Sequence, residues 1–588
     1  MCGIFGYIGK QNNAAQIVLT GLKKLEYRGY DSWGIGVEKK DKLIIQKKTG
    51  KIGEADISKL PKSNFGFGHT RWATHGGVTD INSHPHLDCA GKIAVIHNGI
   101  IENYVEIKKE LLKKGHKFRS QTDSEVAAHL IEEERKKRNF REAVRQAFNQ
   151  FQGLNAIIAM EAGSKTFIAV KTGSPLVLGF GKDENFLASD APALLAHTRK
   201  VHFLEDEQLA EISTQEIKVF QAQTGKKILP KIQTLDWKIE EVELGKFPYF
   251  MIKEIFEQPK ILRGIAENSL AQIPDLAKLI KKAYGVYAIG CGTASYACLA
   301  ATYLFSKIAE YHLNYTVGSE FGYTADFLTS ESLVMAFSQS GETIDIIESV
   351  KEAKKKKAKI LAITNVLGST LYRAADYKML LTAGPEKAVA STKAFTSKLA
   401  LIILLAHSLA GKIMKGKELL EQAGLASQRI LKKTSLSKIK KLANKIFKQK
   451  HIYIIGRGLS YPIALEAAMK IKEISYIHAE GFAAGELKHG VIALIEKGTP
   501  CLVFAPKDET FGAVLSGAME VKARGGYIIG VSPQNHEVFD YHLPVVDCGE
   551  ATMIPNTVVA QLLAYYLALK KGFDPDKPRN LAKSVTVK

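Results

Sequence analysis

An internal repeat restricts the fold of this chain more than any other feature. Tyr287-Ala288-Ile289-Gly290-Cys291-Gly292-Thr293 returns as Tyr453-Ile454-Ile455-Gly456-Arg457-Gly458-Leu459, an offset of 166. Leu333–Phe337 returns as Pro500–Phe504, and Glu342-Thr343 as Glu509-Thr510, at an offset of 167. Ile360–Thr364 likewise resembles Tyr527–Val531. Each copy reads strand, glycine turn, helix, strand, loop, helix, strand. Strands this apolar need cover on both faces, and the intervening helices supply it, so each copy predicts a doubly wound parallel sheet. Two related α/β domains are expected, at 249–425 and at 426–588 with a C-terminal tail.

The loops of the two copies differ in chemistry. Gly290-Cys291-Gly292 lacks the third glycine of the dinucleotide fingerprint, and no acidic residue ends the following strand. A nicotinamide cofactor is therefore not expected. Ser338-Gln339-Ser340-Gly341-Glu342-Thr343 is a hydroxyl-rich turn opening a helix, a place where backbone N–H groups and hydroxyls hold phosphate. A simple helix cap is the plainer account. The equivalent Ala505-Pro506-Lys507-Asp508-Glu509-Thr510 has lost those hydroxyls, which predicts one phosphosugar site per chain, on the first copy. Further on, Glu466, Lys470 and Glu473 share one face of a helix that begins near Pro462. A surface ion-pair ladder would explain them, but Ala464, Ala467, Ala468, Ile471 and Ile474 around them favour burial.

The front of the chain has a different character. Once Met1 is removed, Cys2 carries a thiol and a free α-amine. That amine titrates near pH 8 and can serve as the base for its own sulfur. Strands are expected at Gly3–Ile8, Trp33–Val37, Leu43–Gln46, Phe65–Gly68, Lys92–Ile96, Ala156–Met160, Phe167–Val170 and Lys218–Gln221. Helices are expected at Ala14–Leu25, Tyr104–Lys113, Ser124–Arg138 and Arg141–Phe151. Polar clusters punctuate them: Leu25–Ser32, Gly68–Gly76, His97–Asn103 and Thr122–Glu125. Residues 237–248 are polar and suit a linker, and Tyr249–Pro259 predicts a helix that stops at its proline.

The 588 residues carry a formal charge of +21, but the lysines are spread along helices without interleaved aromatics, and no nucleic-acid partner is expected. An anionic substrate would gain from that field. Six cysteines without CxxC pairs suit a reducing, cytoplasmic setting. No secretory signal is visible, and the apolar run from Leu399 to Ala410 is too short to cross a bilayer, so no membrane partner is expected. His84-Pro85-His86-Leu87-Asp88-Cys89 suggests metal ligands, but no second pair stands at fixed spacing, and these histidines are expected to be structural.

Cys2 with the four polar clusters, in this order, resembles the glutamine-hydrolysing domain of the N-terminal-nucleophile amidotransferases. The SQSGET loop, Cys291–Thr293 and Val389-Ala390-Ser391-Thr392-Lys393 resemble the sugar-isomerase (SIS) family. Together, over essentially the whole chain, they resemble the glucosamine-6-phosphate synthase family, the isomerising glutamine–fructose-6-phosphate aminotransferases. The resemblance implies an N-terminal-nucleophile glutaminase sandwich over 2–236, followed by the two SIS-type domains. It implies glutamine and fructose 6-phosphate as substrates, and neither a cofactor nor a metal is expected.

The resemblance also assigns roles. Cys2 is the nucleophile, Asn98 and Gly99 form the oxyanion hole, and Arg28, Arg71 and Asp123 serve glutamine. Trp72 gates ammonia. Thr293, Ser338, Gln339, Ser340, Thr343, Val389, Ser391 and Lys470 serve the sugar phosphate. Glu473 shuttles a proton between C1 and C2. His489 assists ring opening, contributed across a homodimer interface, and Lys583 forms a Schiff base with the open-chain ketose. Ala294 and Trp33 depart from residues usual in the family. A phosphoribosylamine-forming amidotransferase is disfavoured because that chemistry uses a phosphoribosyltransferase domain. Retention of Cys2, Asn98, Gly99, Glu473 and Lys583 disfavours a non-enzymatic sugar-phosphate sensor.

Overall fold

A computed structural model describes residues 2–53, 55–235 and 243–586. The chain forms two compact units, Met1–Glu243 together with Ala582–Lys588, and Leu244–Leu581. Residues 237–242 of the expected linker lie outside the described residues.

The first unit is built on an eight-stranded and a seven-stranded sheet, both antiparallel. Gly3–Gly9 lies between Phe65–Arg71 and Glu184–Ala188 in the first sheet. Ile93–Gly99 lies between Asn155–Glu161 and His86–Leu87 in the second. Alternation along each strand explains the layering. Ile4 and Ile8 pack with Phe65, Phe67, Ala94 and Ile96 in a core between the two sheets. Phe5 and Tyr7 point the other way, toward Val18 and Leu22 of the helix Ala14–Leu25. Trp33 fills that same outer core, which accounts for a large residue at its position. On the far side, Ile93 and Val95 pack with Ile107, Val126 and Leu130 from the helices Tyr104–Lys113 and Glu125–Arg135. The result is helix, sheet, sheet, helix, with catalytic candidates at strand ends.

The second unit holds two five-stranded parallel sheets. In the first the spatial order is Asn314–Val317, Val286–Gly290, Leu333–Ser338, Lys359–Thr364, Tyr377–Leu380. In the second it is His478–Ala483, His451–Gly456, Pro500–Phe504, Tyr527–Ser532, Tyr541–Pro544. Numbered along each copy, both read 2-1-3-4-5, so the sequence repeat is a repeat of topology. Strand order reverses between the first and third strands, and ligands of such sheets bind outside the carboxyl ends of those two strands.

One core joins both copies, drawing on the helices Thr293–Ala309, Lys393–Leu409, Ser460–Ser475 and Met553–Lys570. The boundary expected at 425/426 falls within the helix Ile413–Ile430. The segment Gly549–Lys570 is long and apolar enough to cross a membrane, and 89% of its apolar 18-residue stretch is buried inside the unit as a core helix.

One expectation is overturned. The helix beginning at Phe250 does not stop at Pro259 but runs to Asn268. Proline removes one hydrogen bond and crowds the preceding turn. Beyond it, however, Leu262, Ile265 and Ala266 all bury in the core, and that burial outweighs the defect.

Candidate active sites

The first site is a small, partly open pocket in the first unit, lined by Cys2, Arg71, Trp72, Gly99 and Asp123 among others. Cys2 starts the chain into its central strand, half-buried. Its thiol donates toward the Trp72 carbonyl at 3.5 Å and accepts from the Trp72 N–H at 3.2 Å. Burial pushes the Cys2 thiol above its ordinary range, although the Trp72 amide and Arg71 oppose this. The thiol is therefore protonated at neutral pH, and attack needs a base.

Asn98 is buried, and its Nδ2 donates to the backbone carbonyl of Cys2 at 3.0 Å. Its orientation is set by His69, whose Nε2 lies 3.1 Å from Asn98 Oδ1 and 3.0 Å from the His97 carbonyl. Both of those atoms only accept, so His69 carries its proton on Nε2. Burial lowers His69 to about 3, which keeps the ring neutral. Gly99 has φ +132°, and a Cβ there would lie 2.1 Å from the Leu154 carbonyl oxygen. Only glycine gives this backbone its shape at the pocket wall.

Arg71 is anchored by the turn that follows it. Its guanidinium donates to the carbonyls of His75 at 2.5 Å, Gly76 at 2.9 Å and Gly77 at 3.0 Å. Asp123 accepts from the Ile101 N–H at 2.8 Å. One fixed cation and one fixed anion thus share a cavity with a thiol, a charge pattern that matches an α-amino acid. Arg28 is buried but not part of the lining. It pairs with Asp190 at 2.8 Å, and the Tyr27 hydroxyl donates to the same carboxylate at 2.5 Å.

The second site lies at the sheet switch point of the first repeat. Thr293 follows the strand Val286–Gly290, and the 338–343 loop follows Leu333–Ser338. Ser338 Oγ accepts from the Gly341 N–H at 3.0 Å and lies 2.9 Å from Thr343 Oγ1. The Glu342 N–H donates to Ser340 Oγ at 3.1 Å, and the Gln339 carbonyl accepts from Asn365 at 3.1 Å. The loop ends at Thr343, immediately before the helix Ile344–Lys355, whose free N–H groups favour an anion. Val389 and Ser391 lie in a second loop. The Val389 N–H donates to the Asp576 carbonyl at 3.0 Å, and Ser391 Oγ to Glu386 at 3.1 Å.

Glu466, Lys470 and Glu473 descend one face of the helix Ser460–Ser475. Glu466 and Lys470 are fully buried. Lys470 Nζ is 3.7 Å from Glu466 and makes a short ion pair with Glu473. Burial raises Glu466 to about 8, against the opposing pull of Lys470. At neutral pH Glu466 is therefore protonated, and the lysine charge is left to Glu473. Met469 of the same helix accepts from Thr293 Oγ1 at 3.6 Å, which ties the triad to the loop side. His489 is exposed, in the short turn Glu486–His489. Lys583 belongs to the Ala582–Lys588 segment that groups with the first unit.

The glutamine amidotransferase domain family matches residues 69–196, and the SIS domain family matches 279–408 and 445–571. The glutamine–fructose-6-phosphate aminotransferase (isomerizing) of Pyrococcus horikoshii is 45% identical over 603 residues, covering 100% of both chains. The chain belongs to the glutamine–fructose-6-phosphate aminotransferase (isomerizing) family. Its counterpart in Thermococcus kodakarensis is 43% identical, again over 100% of both chains. Among solved structures, the C-terminal domain of the Francisella tularensis glucosamine-fructose-6-phosphate aminotransferase is 33% identical with a TM-score of 0.53, covering 57% of this chain and 99% of that one.

In this family member two residues escaped the sequence argument. His69 stands inside the Gly68–Gly76 cluster, yet nothing in its spacing shows that it orients Asn98. Glu466 was visible as the first rung of the helical face, but only its complete burial gives it a proton at neutral pH. Ala294 is buried in the core beneath the first glycine turn, where a Cβ on Gly290 would lie 2.7 Å from its carbonyl carbon.

Proposed function

We propose that this chain converts glutamine and fructose 6-phosphate to glutamate and glucosamine 6-phosphate. The observation that carries the glutaminase half is the meeting of Cys2, Arg71, Asp123 and Gly99 in one cavity, with Asn98 aimed at Cys2. Arg71 pairs with the glutamine α-carboxylate and Asp123 with its α-ammonium, while Arg28 and Asp190 brace the surrounding turn. The α-amine of Cys2 takes the thiol proton as sulfur attacks the side-chain amide. The developing oxyanion is held by Asn98 Nδ2 and the Gly99 N–H, the kind of contact that is often the largest catalytic contribution. Collapse releases ammonia and leaves a thioester, which water hydrolyses to glutamate.

Ammonia then passes by Trp72 to the sugar. Thr293, Ser338, Gln339, Ser340, Thr343, Val389 and Ser391 hold fructose 6-phosphate, with the phosphate at the helix N-terminus. His489, contributed by the partner subunit of a homodimer, assists ring opening. Lys583 condenses with the C2 carbonyl and loses water. Ammonia replaces the lysine at C2, and Glu473 carries the proton from C1 to C2. Lys470 holds Glu473 in place through their ion pair, and the neutral Glu466 leaves that lysine charge uncontested. Six free cysteines agree with a cytoplasmic setting.

Two variants test the division of labour. Cys2→Ala should stop release of both products from glutamine and fructose 6-phosphate. Glu473→Gln should leave glutamate formation measurable while glucosamine 6-phosphate falls at least about 100-fold, the usual scale for losing a proton-transfer group. If Glu473→Gln makes amino sugar at the parental rate, the assignment of the shuttle is wrong.

A further inference from the structure

The 84–89 segment divides in two in the folded chain. His84 stacks on His69 at 4.2 Å, and His86 bonds to the Thr122 hydroxyl at 3.1 Å, so both belong to the packing around the glutamine cavity. Cys89 lies apart from them. Its Sγ is 3.6 Å from His116 Nδ1 and 3.4 Å from His129 Nδ1. Glu132 Oε2 lies 3.0 Å from His116 Nδ1 and 3.5 Å from His129 Nδ1. All four donor atoms fall within 4.8 Å of one another.

We propose that Cys89, His116, His129 and Glu132 form a structural zinc site. Zn–S bonds of about 2.3 Å and Zn–N or Zn–O bonds of about 2.0–2.2 Å in a tetrahedron require donor–donor edges of about 3.3–3.7 Å. Of the six edges, three fall in that range, one is 3.0 Å and the other two lie within 4.8 Å, so an ion would draw the donors together by small side-chain shifts. The donor set is one sulfur, two imidazoles and one carboxylate, which suits zinc rather than calcium or magnesium. A thiolate and a carboxylate would also balance the charge of the ion.

The surroundings are those of a metal site rather than of a chance cluster. His116 hydrogen-bonds Glu133 through its other ring nitrogen, Nε2, at 3.2 Å, while His129 Nε2 lies 3.6 Å from the Glu125 carboxylate, close enough to pair with it. Such carboxylates fix the ring and the tautomer of metal-bound histidine. Glu125 is itself held by the Arg119 and Ser120 N–H groups at 2.7 and 2.6 Å. The Lys117 N–H donates to Cys89 Sγ at 3.4 Å, which would stabilise a thiolate. His116 and His129 are buried while Cys89 is exposed, so an ion can enter from solvent.

The ligands come from three stretches of chain: the turn after His86–Leu87, the connection after Tyr104–Lys113, and the helix Glu125–Arg135. The residues just before that helix are Asp123 and Ser124, both part of the cavity lining. Zinc here would pin the helix that presents Asp123 to glutamine without itself touching the cavity.

The full-length chain, expressed with added zinc and dialysed against metal-free buffer, should hold one zinc per chain by elemental analysis. Cys89→Ser and His116→Gln should reduce that at least tenfold. Loss of the ligands could unfold the variants, so the parent chain is also stripped with a chelator and titrated with Co²⁺. A thiolate-to-cobalt charge-transfer band with intense tetrahedral d–d bands should appear and should be displaced by Zn²⁺. The thermal midpoint should fall on stripping and recover with zinc. Zinc content unchanged in both variants would overturn the proposal, as would a parent chain that holds no zinc and gives no charge-transfer band.

Discussion

His69 Nε2 lies 3.1 Å from Asn98 Oδ1, and this contact turns the Asn98 amide nitrogen toward Cys2. A neutral buried imidazole thus decides which end of an amide faces the nucleophile. His69→Ala removes that decision and leaves Asn98 free to flip. Glutaminase kcat should fall about 10- to 100-fold, below the 10²–10³ typical of deleting an oxyanion donor outright. The KM for glutamine should stay within about threefold, because Arg71 and Asp123 are untouched. A fall in kcat equal to that of Asn98→Ala would mean that His69 does more than orient.

Gly99→Ala should be worse than its one added carbon suggests. The φ of +132° is strained for alanine, and the new Cβ would meet the Leu154 carbonyl oxygen at 2.1 Å. The backbone N–H must move, so hydrolysis of glutamine should drop at least about 100-fold. Circular dichroism would report whether the fold survives, and steady-state kinetics would report the loss.

Glu466 gives the sugar half a pH signature. Its folded pKa of about 8 stands above the ordinary carboxylate range, so its contribution to stability is full at acid pH and is lost as pH rises through about 8. Glu466→Gln mimics the protonated form at every pH. Its thermal midpoint should therefore gain on the parent chain between pH 6 and pH 9. Amino-sugar formation by the variant should hold up above pH 8 where the parent declines. A parallel pH profile for parent and variant would place the titration elsewhere.

The hydroxyls of the 338–343 loop predict a binding effect confined to one half-reaction. Ser338→Ala removes an acceptor for the Gly341 N–H and a partner of Thr343. Hydrogen bonds to a charged group contribute about 1.5–3 kcal/mol, so the KM for fructose 6-phosphate should rise roughly 10- to 100-fold. Glutamine hydrolysis measured without sugar should not change.

The parallel sheets were legible because a doubly covered strand must be apolar along its whole length, and the repeat printed that pattern twice. In the first unit the helices Ala14–Leu25 and Tyr104–Lys113 matched their expected bounds, since each shows one clean apolar face. Short strands such as Val177–Phe180 and Lys200–Phe203 did not show, because four residues carry too little alternation to be recognised. Pro259 misled in the other direction: local backbone chemistry argued for a helix end, and burial further along overrode it.

Site residues divide along similar lines. Cys2, Arg71, Asn98, Gly99 and Asp123 stand in compact motifs that carry the reading together, though each alone has an ordinary structural explanation. His69 and Glu466 act through burial, which no spacing reveals. The cluster at Cys89 draws on three separated stretches; the sequence flagged the 84–89 segment, but of its residues only Cys89 joins the cluster, and the partners His116, His129 and Glu132 lie too far along the chain for spacing to reveal them.

Glutamine and fructose 6-phosphate supplied together to the purified full-length chain would test the central claim most directly, with glutamate and glucosamine 6-phosphate measured in the same samples. The account predicts near-equal formation of the two products, abolished by Cys2→Ala. Glutamate accumulating without amino sugar would leave the first unit a glutaminase and contradict the assignment of the second.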